Sequence, residues 1–484
     1  RSSVPPAPKV VAVDTLARVS RPAVVSRNSL LTLLVVLLFS CLLILSFPPP
    51  WLRAMLPQHE VIADLQDYAH ELTEEELSTP IELHPTWPAQ QFPEHTRLLS
   101  PVLVDVNGDG FVDVLIADTQ GDVRTLDGRS GEKLFYYRSG MNLLAAPVTT
   151  TLPQGLLGVV IASEEGVVEV VSISGESQWL SRPGYDLGLL LHSPDLIDVN
   201  NDGLEDVLLS TERRGLVALD GAHEGRLLWD TAKDQQGLGS RPLIADINSD
   251  RQLDYIVGTD AGQVLAMTLK AGVPTKLWEQ QLAPIVFAPP VLLTAGSGAR
   301  GESKVLVRPP EQGLVALQGQ TGLPRWQVPQ SEIAFAPPLA ADLSGDGYMD
   351  VINVSYDGGV QLLDGRNGIS LWRRHLGAEV QAPPLLYDFN QDGTLDVLAV
   401  DVEGRLHIAS GVEGRMLLEG YVVEGSDGVA VSPVLGDLNG DGQVDLVLVS
   451  GNGLISCLTL NRRIRAGSTP WPAAQGRKQT GHPL

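Results

Sequence analysis

Asp105-Val-Asn-Gly-Asp-Gly-Phe-Val-Asp113 is one of six copies of the pattern D-x-[N/S]-x-D-x-x-x-D. The others run from Asp198 to Asp206, Asp246 to Asp254, Asp342 to Asp350, Asp388 to Asp396, and Asp437 to Asp445. Each copy crowds three carboxylates and one Asn or Ser into nine residues. Without a counter-charge these groups repel one another. Around a hard cation they form an oxygen cage, and calcium suits such a cage.

The motif starts are 93, 48, 96, 46 and 49 residues apart. The two long gaps are double periods, so two further repeats lack the loop. Residues 144–184 keep Pro147, a strand at Val159 to Ala162 and Trp179. Residues 286–328 keep Pro290, strands at Lys304 to Val307 and Leu314 to Leu317, and Trp326. Eight units therefore start near Pro101, Pro147, Pro194, Pro242, Pro290, Pro338, Pro384 and Pro433.

Within a unit, a short apolar strand follows the proline, then the Asp loop, then a near-continuous apolar strand such as Val444 to Val449. A glycine turn leads to a third strand, and another leads to a fourth bearing Trp, as in Arg226-Leu-Leu-Trp229. Short Val/Ile/Leu strands between Gly and Asp turns predict an all-β chain. Four strands per unit at this period predict an eight-bladed β-propeller. The last unit supplies three strands. Its fourth comes from Glu82 to Gln90, with Trp87, or from the tail around Trp471. Chain order favours Trp87, because a Trp strand precedes the first strand of five of the other units.

In each loop the expected side-chain ligands occupy positions one, three, five and nine, with the position-seven carbonyl turned inward. They are Asp105, Asn107, Asp109, Phe111 and Asp113; Asp198, Asn200, Asp202, Leu204 and Asp206; Asp246, Asn248, Asp250, Gln252 and Asp254; Asp342, Ser344, Asp346, Tyr348 and Asp350; Asp388, Asn390, Asp392, Thr394 and Asp396; Asp437, Asn439, Asp441, Gln443 and Asp445. The closing acid lies at position nine, whereas a helical calcium hand places it at twelve. The expected load is five to six calcium ions. In the loop at Asp246, Arg251 replaces the glycine at position six, so this site is expected to be the weakest.

The net charge is −24, from 58 acids and 34 bases. Eighteen of those acids are loop aspartates, so six calcium ions would cancel half of it. The acidity excludes a nucleic-acid partner, which needs a basic surface. Two cysteines, Cys41 and Cys457, supply neither a disulfide framework nor zinc spacing. Asn353-Val354-Ser355 is a sequon on a predicted strand, read as chance.

Ser29 to Phe47 is apolar and uncharged. At ~1.5 Å per residue it makes roughly 28 Å of helix, against a hydrocarbon core of ~30 Å. Lys9, Arg18, Arg21 and Arg27 precede it, which predicts a single-pass signal anchor with its N-terminus cytoplasmic. Cleavage as a signal peptide and lipidation at Cys41 are the rival readings. The expected organisation is a disordered tail over 1–28, the membrane helix over 29–47, a linker over 48–80, and the propeller over 81–484. Val61, Leu65, Tyr68, Ala69 and Leu72 predict a short amphipathic helix in the linker.

These units resemble FG-GAP repeats, the calcium-binding blades of the integrin α-subunit propeller. The endings from Leu363 to Trp372 and, in altered form, from Leu219 to Trp229 resemble the PQQ-like propeller repeat. The tail from Thr469 to Gly481 resembles a terminal motif of membrane-anchored members of that class. The resemblance implies a binding module outside the cytoplasm, periplasmic or on the cell surface. Integrin propellers have seven blades and fewer loops, so no partner is carried over.

The expected function is a protein-binding, adhesion or complex-scaffold module. One alternative is a calcium-dependent polysaccharide lyase or hydrolase, which would bind a glycan. It needs an exposed acid–base group, and the nine histidines are scattered. A quinoprotein dehydrogenase is the least favoured, since its adjacent cysteine pair is absent. The units without loops, at Thr149 to Gly158 and Thr294 to Lys304, are candidate partner contacts or decayed loops.

Overall fold

In the computed structural model Trp87 lies on Leu83–Gln91, and this strand completes the last blade. It pairs antiparallel with Leu454–Arg463, placing Trp87 opposite Cys457. The ring therefore closes through the N-terminal strand, as the order of Trp strands predicts. The structure describes residues 80–464, apart from 93–96, 154, 181–184, 232–236, 283–285, 295–301, 311, 330–333, 335, 424–427 and 429–430. The tail over 1–28, the expected membrane helix over 29–47, the linker helix and Trp471 lie outside the described residues. No helix among the described residues is long and apolar enough to cross a membrane.

Eight four-stranded antiparallel sheets follow one another along the chain. Blade 1 comprises Val102–Val104, Asp113–Ala117, Asp122–Leu126 and Lys133–Arg138. Blades 2 to 7 begin at Val148, Asp195, Leu243, Val291, Leu339 and Leu385. Blade 8 begins at Val434 and takes Leu83–Gln91 as its outer strand. The short first strands lie innermost: Val291–Leu293 touches both Leu243–Ala245 and Leu339–Ala341, and Val102–Val104 touches Val434–Gly436.

The second and third strands are buried along nearly their whole length, and the fourth alternates. That is why the middle strands read as continuous apolar runs. The core lies between blades rather than within one. A single cluster joins Trp87, Val447, Ile455 and Cys457 of blade 8 to Val114 and Ile116 of blade 1.

The tryptophans link successive blades. Trp87 donates from Nε1 to Gly128 O of the next blade at 3.1 Å. Trp278 does so to Gly319 O, Trp326 to Gly365 O, and Trp372 to Gly411 O, at 2.6 to 3.1 Å. A Cβ on Gly131 would lie 2.8 Å from the Trp87 ring, so only glycine admits the indole there. Trp87 does at the closure what the others do elsewhere in the ring.

Candidate metal loops

Each Asp loop joins the first strand of a blade to the second. The register is the same in all six. The ninth aspartate opens the second strand and pairs with the residue just before the first aspartate: Val104 with Asp113, Ile197 with Asp206, Ala245 with Asp254, Ala341 with Asp350, Tyr387 with Asp396, and Gly436 with Asp445.

The loop interiors repeat one hydrogen-bond pattern. The first-position aspartate accepts from the amide of position six, at 2.8 to 3.1 Å in every loop. The fifth-position aspartate accepts from the amide of position seven, at 2.7 to 3.0 Å. Asn107, Asn200, Asn248, Asn390 and Asn439 each accept from the amide of position five. Such side-chain-to-backbone bonds are what fold Asn and Asp into turns. Positions four and six carry positive φ throughout, as in Gly108 and Gly110. Arg251 adopts φ 68° and Ser249 φ 64°, so the blade 4 loop keeps the shape with two residues that disfavour it.

The ninth aspartate has a second duty that sequence reading did not assign. Asp113, Asp206, Asp254, Asp350, Asp396 and Asp445 are at most 1% exposed. Each takes the amide of position two on Oδ2, at 2.8 to 3.2 Å. In blades 1, 3 and 7 Oδ1 takes the amide of Gly128, Gly221 or Gly411 in the turn between the third and fourth strands. This carboxylate thus bolts that turn to the loop.

Burial pushes Asp396 up to about 7, with repulsion from Asp392 and Asp388 adding to it. Asp206 and Asp254 are pushed up to about 6 for the same reasons. Asp113, Asp350 and Asp445 are also raised, first by burial. The donor set fits a hard divalent cation. A carboxylate has about four acceptor sites, so the hydrogen bonds leave each loop oxygen-rich. In blade 6, Oδ1 of buried Asp350 has no hydrogen-bond partner among the described residues. Mutual repulsion within each loop is the deficit that a cation would relieve.

Three basic side chains from the third-to-fourth-strand turns reach these loops. Arg129 donates to Asp109 Oδ2 at 2.6 Å, with its guanidinium 4.5 Å from the Phe111 ring centre. Arg366 pairs with Asp346 Oδ2 at 2.6 Å and lies 5.2 Å from the Tyr348 ring centre. In blade 3, ligand atoms of Asp202, Asp220 and His223 converge within 4.8 Å. Sequence reading missed all three. The available signal was Asp-Gly-Arg at 127–129 and 364–366.

The other candidates separate. His192 donates from Nε2 to Gly239 O, and burial holds its pKa down. His407 is buried against Asp401 at 3.0 Å. Cys457 is buried and its thiol pushed up to about 12, which removes it as a nucleophile. Asn353 is buried and accepts from Arg308, so it is not an exposed glycan acceptor.

Two repeat models match this chain. The FG-GAP-like repeat matches residues 388–448, blade 7 into blade 8. A PQQ-type model described as outer membrane protein assembly factor BamB matches residues 164–332, across blades 2 to 5. The chain is a propeller of FG-GAP-like and PQQ-like repeats. It is 29% identical over 174 residues to outer membrane protein assembly factor BamB of Burkholderia pseudomallei (strain K96243), covering 36% of this chain and 40% of that one. The FG-GAP/PQQ-like propeller thus spans less than half the length of that curated relative. The crystal structure of BamB from Moraxella catarrhalis superposes with a TM-score of 0.50 at 16% identity, over 77% of this chain and all of that one. A quinohemoprotein alcohol dehydrogenase from Pseudomonas putida HK5 superposes at 0.55 with 12% identity, over 78% and 76%. At such identities these two likenesses show the fold alone.

Proposed function

We propose that this chain is a calcium-loaded scaffold of the cell envelope, binding a protein partner through its propeller. The observation that carries the scaffold reading is the match over residues 164–332 to a model named for outer membrane protein assembly. Residues 29–47 would tether it, with the propeller periplasmic or on the cell surface.

The calcium reading rests on six loops with one hydrogen-bond pattern. In blade 1, Asp105, Asn107, Asp109, the Phe111 carbonyl and Asp113 would hold the ion, and the equivalent residues would do so in the other five. Calcium, when bound, would supply two positive charges against the three carboxylates of its loop. The chain's own part is to hold those oxygens in register and to brace the neighbouring turn through the ninth aspartate.

The test is a melting curve with chelator and with restored calcium. An ion that binds only the folded state stabilises by RT ln(1 + [L]/Kd), about 1.4 kcal/mol per site at ten times Kd. The melting temperature should fall in chelator and return with calcium. An unmoved curve, with no metal by native mass spectrometry, would reduce the loops to turns. Calcium-dependent crosslinking to an outer-membrane assembly protein is expected. Turnover of an acidic glycan by the loaded protein would replace the scaffold with a lyase or hydrolase.

A further inference from the structure

The six loops share a backbone but not their surroundings. In blade 1 the turn Asp127-Gly128-Arg129-Ser130-Gly131 is fixed by three bonds. Gly128 N donates to Asp113, and Asp127 Oδ1 accepts from the amides of Arg129 and Ser130. Arg129 therefore projects over the mouth of its own blade's loop. Blade 6 repeats the arrangement with Asp364-Gly365-Arg366-Asn367-Gly368, where Asp364 accepts from the Arg366 amide and guanidinium. Both guanidinium groups bond Oδ2 of the fifth-position aspartate. In blade 8 the same oxygen of Asp441 takes the side-chain amides of Asn439 and Gln443, whereas in blade 1 Asp109 Oδ2 takes the Asn107 side-chain amide and the guanidinium together.

The two loops with an overlying arginine are also the two with an aromatic at position seven, Phe111 and Tyr348. The other four carry Leu204, Gln252, Thr394 and Gln443 there. Stacking on the ring and pairing with the carboxylate together hold the arginine in place. In blades 4 and 8, Asp250 and Asp441 have no basic side-chain partner among the described residues.

We propose that Arg129 and Arg366 are built-in counter-ions, which make the loops of blades 1 and 6 a weaker class of calcium site. A guanidinium has only donors and cannot ligate a cation. Its positive charge beside Asp109 or Asp346 repels an incoming cation and competes for that carboxylate, so the ion pair and the stack oppose filling. Without the ion, the arginine offsets one of the three carboxylate charges of its loop. The loops of blades 4 and 8 have no such substitute. This inference rests on the calcium reading above.

The test uses the full-length chain in detergent and the double variant R129M/R366M, which keeps an apolar stem against each ring. Calcium alone is titrated by calorimetry, and terbium luminescence sensitised by Tyr348 reports the blade 6 loop. Wild type should show a weaker class of about two ions per chain. The variant should tighten that class by about three- to tenfold. Its melting temperature should fall slightly in chelator, where the ion pairs are lost, and rise in saturating calcium. A merely structural arginine would lower both. If wild type fills as one class and the variant leaves the isotherm unchanged, the arginine inference fails and the calcium reading stands. If neither protein takes up calcium or terbium, both fall together.

Discussion

Blades 5 and 6 are neighbours with the same strand order, and they differ at one register position. In blade 6 Ala341 pairs with Asp350, the ninth residue of an Asp loop. In blade 5 Leu293 pairs with Lys304 instead. Where blades 1, 3 and 7 bolt the turn through a carboxylate, blade 5 does so through backbone: Gly319 N donates to Ser303 O. Its buried Arg308 then reaches into blade 6, donating to Asn353 Oδ1 and the Val354 carbonyl. Burial lowers Lys304, and it lowers Arg308 to about 10. Both blades nevertheless receive a tryptophan from the preceding blade, Trp278 on Gly319 and Trp326 on Gly365. The propeller is thus held by indoles and apolar sheets, and the Asp loops are an addition to it.

The largest test of that separation removes an indole from each kind of blade. Trp278 docks on blade 5, which has no loop, and Trp372 docks on blade 7, which has one. Each Trp→Ala change should destabilise by about 3–5 kcal/mol, by the same amount with calcium or chelator. Denaturant melts read this directly. A loss that depends strongly on calcium in one blade only would tie the indole to the loop.

A smaller effect sharpens the contrast through pH. In chelator, Asp396 is pushed up to about 7, against an ordinary 3.8. Between those values the folded chain holds a proton that the unfolded chain has released. Stability from this source is present below about pH 4 and is lost as pH rises through about 7. Asp206 and Asp254 behave likewise through about 6. The metal-free protein should therefore melt higher near about pH 5.5 than near about pH 8. Calcium should flatten or reverse the slope, because it favours the charged form. The opposite slope in chelator would show that these carboxylates are charged when buried.

The smallest effect concerns the irregular loop of blade 4. Arg251→Gly puts glycine where φ is 68°, and should stabilise by about 0.5–1 kcal/mol. It should also improve calcium uptake by that loop, read by calorimetry. An unchanged or lower melting temperature would mean that Arg251 makes a compensating contact.

The blades and their closure were legible because each feature recurs. One Pro-strand-loop-strand unit is ambiguous, but eight units, five of them preceded by a Trp strand at 179, 229, 278, 326 or 372, leave one place for Trp87. The loop ligands were legible for the same reason. Arg129 and Arg366 were not, because they sit in another hairpin, 20 residues beyond the aspartates that they meet. In blade 1 the bond from Gly128 N to Asp113 Oδ1 helps to bring the two turns together. The bracing role of the ninth aspartate was hidden too. A nine-residue pattern shows which oxygens are present, and not which amides from fifteen residues away already claim them.

The strand bearing Trp87 has a consequence in time. Its partners Asp445 and Asn461 lie 359 and 379 residues further along the chain, as in Thr86 with Asp445 and Glu82 with Asn461. At ~5–20 residues per second of synthesis, the strand waits roughly 20–70 s for its blade to be made. Contacts of such sequence separation are also slow to form once both partners exist. During that interval seven blades stand as an open arc. The strand made first is thus the one paired last.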